Sequence, residues 1–246
     1  MQDLLFSEGD EALQPRPSAS SKPGRATPMR ATAAAAIGAA AVDPSLQALA
    51  DGLPPTVRLG TSTWSYPGWA GIVWDDGYSS TKLSKLGLTA YAQHPLLRTV
   101  CVDRAFYRPL SASEYARLAA MVPPDFRFVV KAPSLVSDAM VRGDDGRGMQ
   151  PNPAFLSPDI AVREFVQPAL EGLGAKVGAL VFQLSPLPVS MLAEWPRLLD
   201  RLATMLRALP SLRAVAPEGV IAVEVRDAAL LTPALAAVLR ESGATY

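Results

Sequence analysis

A chain of 246 residues, 49% hydrophobic and 19% charged, has the composition of a globular protein with enough apolar matter for a core. Its 23 basic and 23 acidic residues cancel, which argues against a polyanion-binding surface and a nucleic-acid partner but leaves a small anionic ligand open. A single cysteine, Cys101, and a single histidine, His94, exclude an intrachain disulfide, a cysteine-rich zinc site and a multi-histidine metal centre.

Residues 1–42 are low in complexity: QPRPSASSKPGRATP holds too few large apolar groups to offset the entropy of ordering, so a disordered extension is expected. The acidic start lacks the basic region of a secretory signal, and no apolar run reaches the roughly 18 residues of a membrane span. The chain therefore reads as soluble and cytoplasmic, and its Arg, Ala and Pro usage suggests a GC-rich bacterial genome. DPSLQALADG predicts a short helix capped by Asp43, with Pro44 in its first turn and a stop at Gly52. From Val57 a regular alternation begins. VRLGTST is a strand, followed by the aromatic loop TSTWSYPGWAGIVW and the helix SKLGLTAYAQ. His94, just before Pro95, reads as a capping or solvated residue at that helix's end, and any Ser-His-Asp or Cys-His triad would have to use it. RTVCVD is a strand, and SASEYARLAAMV a helix capped by Ser111 or Ser113 with Glu114 in its first turn. After the strand FRFVVKA a long loop is expected from Pro133 to Pro158. Its RGDDGRG stretch does not have the spacing of a calcium loop and reads as a mobile surface segment. PDIAVREFVQPALEGLG is a helix interrupted near Pro168, and GALVFQLS a strand. SMLAEWPRLLDRLATMLRAL is a long helix kinked or started at Pro196, GVIAVEVR a strand, and TPALAAVLRESG a helix capped by Thr232. The final ATY reads as the first residues of a sixth strand, so the chain is expected to be a partial domain over 43–246, truncated after its fifth βα unit.

Strand alternating with helix implies right-handed βαβ units and a parallel sheet, either doubly wound or a TIM-type barrel. No Gly-rich dinucleotide or P-loop signature follows any strand, and no cofactor is predicted. Strands flanked by helices should read as nearly continuous apolar runs. These strands instead end in polar residues: Asp103, Lys131, Gln183, and Glu224 with Arg226. Alternation puts Cys101 and Asp103, Val129 and Lys131, Val181 and Gln183, and Glu224 and Arg226 on one face. The apolar partners Val100, Val102, Phe128, Val130, Phe182, Leu184, Val223 and Val225 take the other. Glu224 and Arg226 could simply pair with each other, and Asp103 could cap the loop after it. A lysine turned inward needs a carboxylate or an anion to meet it. In the aromatic loop, Trp64 and Tyr66 are the ligand candidates and Trp69 and Trp74 the plug that seats the loop. Arg104, Tyr107 and Arg108 follow the second strand and could line the same mouth.

GTSTWSYPGW, VDRAFYRPL, PPDFRFVVKAP, LVFQLSP and IAVEVRD, in that order, resemble the domain-of-unknown-function 72 family, also called YecE-like proteins. The resemblance runs from about Val57 to Tyr246 and implies a TIM-type barrel of unestablished activity. The family's Lys, Gln, Glu and Arg positions match Lys131, Gln183, Glu224 and Arg226. Where the family carries Glu, Asn and Thr after the second strand, this chain has Cys101, Asp103 and Ala105. The expected function is an enzyme acting on a small polar or anionic, sugar- or phosphate-like substrate by acid–base chemistry, without a nucleotide cofactor. In it Lys131, Glu224 and Asp103 are the candidate catalytic residues. Arg226, Gln183, Trp64, Tyr66 and Tyr107 are the candidate substrate-binding residues. The alternative is a non-catalytic module that captures a metabolite or partner through the aromatic loop 64–74. A divalent-metal enzyme using Asp103 and Glu224 is a weaker third, since histidine ligands are lacking.

Overall fold

The computed structural model describes residues 36–142 and 149–246. The expected extension lies, up to residue 35, outside the described residues, as does the 143–148 stretch. Residues 36–42 are described, and here the chain is not free: Ile37 is buried, Ala40 donates to the Val73 carbonyl at 3.0 Å and Asp75 to the Gly38 carbonyl at 3.1 Å.

Among the described residues there are seven strands: β1 (Leu59–Thr61), β2 (Leu97–Val102), β3 (Arg127–Lys131), β4 (Met140–Arg142), β5 (Met149–Pro151), β6 (Val177–Leu184) and β7 (Val220–Val225). Five of them form one sheet in the order β1-β2-β3-β6-β7, and every pairing in it is parallel. Thr245 carries the series one step further, exchanging hydrogen bonds of 2.9 Å with Ile221 and Val223 as a parallel bridge beside β7. At β1, Gly60 is pressed against the Thr99 carbonyl of β2, where no side chain would fit. The strands β4 and β5 form an antiparallel hairpin within the segment expected to be a plain loop, and Ser134–Ser137 before them is a helical turn.

The period-2 pattern resolves as the sequence implies. Val100, Val102, Phe128, Val130, Phe182, Leu184, Val223 and Val225 are all buried on the side where the helices pack. The alternate residues stay part-exposed. Only one face of this parallel sheet is sealed, whereas parallel sheets ordinarily have both faces covered.

The helices begin where their caps stand. Asp43 accepts from the Ser45 amide at the head of Pro44–Asp51, and Thr232 from the Leu235 amide ahead of Pro233–Glu241. Ser111 and Glu114 form a reciprocal capping box on Ala112–Ala120. Pro168 has no amide to donate, and the ladder widens into a π segment at Val162–Val166 before the α-helix resumes at Gln167–Leu173. The long helix divides into Val189–Ala193 and Trp195–Ala208, with Pro196 in the first turn of the second. Among the described residues no helix is long and apolar enough to cross a membrane.

The capping box gives a pH prediction. Arg108, hydrogen-bonded to the Glu114 carboxylate, and then the Ser111 amide lower its pKa from 4.5 to about 2. The folded value lies below the unfolded one, so this contribution is complete above about 4.5 and fades as pH falls toward about 2. Glu114 is near the surface, so the effect is small. Urea midpoints at pH 6 and pH 2.5 should differ less in Glu114→Gln than in the parent protein.

Candidate functional site

Parallel register brings the strand ends together. Cys101 lies beside Val129, so the residues two further on, Asp103 and Lys131, meet across β2 and β3, with Nζ 3.2 Å from Oδ1. Gln183 lies directly beside Glu224 across β6 and β7. Glu224 in turn holds Arg226 at 3.0 Å. The row expected from the sequence is therefore one contiguous rim with an internal pattern: an ion pair, an amide, an ion pair. Asp103 begins the turn Arg104–Tyr107 but makes no side-chain cap; its carboxylate serves Lys131 and the Cys101 thiol instead. Both ion pairs are part-exposed, so each adds about 1 kcal/mol or less to stability.

Gln183 is the residue under tension. Its Oε1 is shielded from solvent and accepts no hydrogen bond among the described residues. A sealed acceptor without a donor costs free energy that packing must offset.

Cys101 points to the same face, 3.1 Å from Asp103 Oδ1. Burial, and then the hydrogen bond to Asp103, push its thiol up to about 12. It stays a thiol at neutral pH and is a poor nucleophile. Alkylation of Cys101 by iodoacetamide at pH 8 should be at least tenfold slower in the folded protein than in urea; equal rates would contradict this placement.

The aromatic loop is placed differently from expectation at one residue. Trp64, a ligand candidate, is turned inward at 6% exposure, with its Nε1 donating to the Ser84 carbonyl and the Arg104 guanidinium over its ring at 5.3 Å. The apolar side of a helix claims the indole before a ligand could. Trp74 is fully buried and donates to the Tyr66 carbonyl at 3.0 Å. Trp69 packs between Trp74 and Tyr91, and the aromatic contacts run on through Phe126 to Phe128 under β3. Tyr66 and Tyr107 are the exposed aromatics of this end, at 55% and 77%.

Two residues of this end were not singled out from the sequence. Ser185 lies two positions beyond Gln183, so it continues the same side of the strand. Its hydroxyl donates to Asp138 Oδ1 at 2.5 Å. The signal was available for Ser185 in the phase of LVFQLS. None was available for Asp138, which reaches the rim only because the helical turn Ser134–Ser137 folds back against β6. Burial raises the Asp138 pKa, and the Ser185 hydrogen bond opposes that rise. His94 lies away from this rim, at the far end of the helix Leu88–Tyr91; burial lowers its pKa, and its Nδ1 accepts from the Leu96 amide. Among the described residues no group of three or more metal-binding side chains is assembled.

Among the described residues, one hollow of about 330 Å³ adjoins Ser65 of the aromatic loop, and others lie away from the polar strand ends. One of about 810 Å³ opens at the opposite strand ends beside Arg213 and Val220, and two smaller ones adjoin Arg197 and Arg201. Among the described residues, Asp103, Lys131, Gln183, Glu224 and Arg226 line none of these hollows; they stand on the unsealed sheet face.

A family described as "Protein of unknown function DUF72" matches residues 58–246. Solved structures of two DUF72 family proteins are among those that bear a likeness. A DUF72 family protein from Enterococcus faecalis V583 is 22% identical with a TM-score of 0.46, over 75% of this chain and 57% of that one. A DUF72 family protein from Thermotoga maritima MSB8 is 19% identical with a TM-score of 0.43, over 76% of this chain and 62% of that one. The chain thus spans less than two thirds of the length of either structure. No curated protein matches it. With the family match running over most of the sequence, and the motif residues Lys131, Gln183, Glu224 and Arg226 inside it, the chain belongs to the DUF72 family.

Proposed function

We propose that the sheet is a segment of a TIM-type barrel whose C-terminal rim binds a small polar molecule, and that the protein is an enzyme acting on it by acid–base chemistry. The strand order supports the barrel. Each strand of the sheet lies beside the next in sequence, with no reversal of the kind a doubly wound sheet requires. A barrel seals the outer face with helices and fills the inner one with layers of side chains, which accounts for the one-sided burial here.

The observation that carries the site is the shared face. Asp103, Lys131, Gln183, Glu224 and Arg226 all depart from the apolar pattern at the same strand ends and on the same part-exposed side. In such barrels that end is where chemistry is placed. Lys131 and Arg226 would hold or polarise the substrate, and Glu224 or Asp103 would move a proton. Capture by the aromatic loop alone has less support, since Trp64, Trp69 and Trp74 are committed to packing.

The test is small-molecule retention. Protein purified under native conditions is denatured, and the released compounds are identified by mass spectrometry. A compound released by the parent protein and lost from both Lys131→Ala and Glu224→Gln supports the reading. Equal retention by all three, with unchanged thermal stability, contradicts it.

A further inference from the structure

The rim's hydrogen-bonding inventory narrows the chemistry of its ligand. Both cations of the row are already matched one to one: Lys131 with Asp103 at 3.2 Å and Arg226 with Glu224 at 3.0 Å. An incoming anion would meet cations whose charge a carboxylate already offsets, and would bring its own charge close to that carboxylate. The acceptors, by contrast, are in surplus. Gln183 Oε1 takes no donor among the described residues. The Asp138 carboxylate receives the Ser185 hydroxyl on Oδ1.

Asp138 is also held in place. Asn152, nearly buried, donates from Nδ2 to the Leu135 and Asp138 carbonyls, both at 2.8 Å, and accepts from the Ala154 amide at 2.9 Å. A carboxylate fixed this firmly, part-buried and facing a neutral hydroxyl, is a preorganised acceptor. Ser185 lies two residues beyond Gln183, which sets these acceptors about 7 Å apart along the strand, the separation a small ring can span.

We propose that the ligand of this rim is a neutral polyhydroxylated molecule of sugar or cyclitol type, bridging the Asp138–Ser185 pair and Gln183, rather than a phosphate or other anion. The proposal rests on the rim being a small-molecule site, as argued above. Each hydroxyl offers one donor and two acceptor lone pairs. Vicinal hydroxyls can therefore donate to Asp138 and Gln183 while accepting from Lys131 and Arg226, with neither ion pair broken. Gln183 Oε1 is shielded from solvent, so reaching it requires the Gln183 side chain to turn toward the open face.

Amide chemical-shift titration of the full chain tests this, with D-glucose, ribitol and myo-inositol on one side and inorganic phosphate on the other. At least one polyol should move the Asp138, Gln183 and Ser185 amides, and phosphate should leave them in place. Asp138→Asn should weaken that polyol about tenfold or more, the loss of a charge-assisted hydrogen bond. Ser185→Ala, a smaller change at a part-exposed position, should weaken it in the same direction and serves if Asp138→Asn does not fold. Phosphate moving these amides at lower concentration than every polyol would overturn the proposal and leave the rim a site, for an anion. Shifts from neither class at the rim would overturn the proposal together with the site reading on which it rests.

Discussion

Replacing Trp74 by alanine is expected to destabilise the fold by about 3–5 kcal/mol, the range for removing a fully buried tryptophan. The indole has no solvent exposure and lies against Trp69 at 6.4 Å. Its Nε1 fixes the Tyr66 carbonyl at 3.0 Å, and its own carbonyl accepts from Gly71 at 2.7 Å. Residues 38–40 pair with 73–75 beside it. Truncation would open a cavity and release both the loop and the segment that crosses it. Urea denaturation should show a lower midpoint with an unchanged slope. The neighbouring Ile72→Ser is the control, since Ile72 is 60% exposed and should change stability by about 0.5 kcal/mol or less. A similar midpoint for both variants would show that the loop is not seated through Trp74.

Asn152→Ala is the second large effect, expected at about 2–4 kcal/mol. The side chain serves three backbone groups at once, the carbonyls of Leu135 and Asp138 and the amide of Ala154. Alanine would leave all of them without this partner in a part-buried setting. The cost is therefore more than that of one hydrogen bond. Asn152→Asp separates the contributions, because it keeps the acceptor for Ala154 and loses both donors. Hydrogen exchange should report the same division: the Ala154 amide should exchange much faster in Asn152→Ala than in Asn152→Asp. Unchanged exchange in both would contradict the role assigned to Asn152. The segment it ties down is the one that carries Asp138 to Ser185 at the end of β6.

The elements legible in the sequence are those set by short-range rules. Period-2 alternation in TVCVD, FRFVVK, ALVFQ and IAVEVR divides the side chains into a sealed face and an open one. Asp43, Ser111 and Thr232 mark helix starts through hydrogen bonds to amides two or three residues away. What depends on register between strands was not legible. That Asp103 meets Lys131 follows from Cys101 lying beside Val129, which no periodicity reveals. The hairpin of β4 and β5 escaped because strands of three residues carry too few positions to show an alternation. Trp64 was misplaced for a related reason: a loop's backbone path decides which aromatic meets the helix Ser80–Leu86, and composition alone does not give that path. Asp138 and Ser185, brought together across 47 positions, belong to the same class of contact.

The site proposed above places the ligand at the polar strand ends of the open face, away from the groove at Arg197 and Arg201. A chemical-shift map of the full chain exposed to a metabolite extract tests it most directly. Perturbed amides are expected at Asp103, Lys131, Gln183 and Glu224, with the groove at Arg197 and Arg201 unmoved. Perturbations gathered at Arg197 and Arg201, with the rim unchanged, would contradict it.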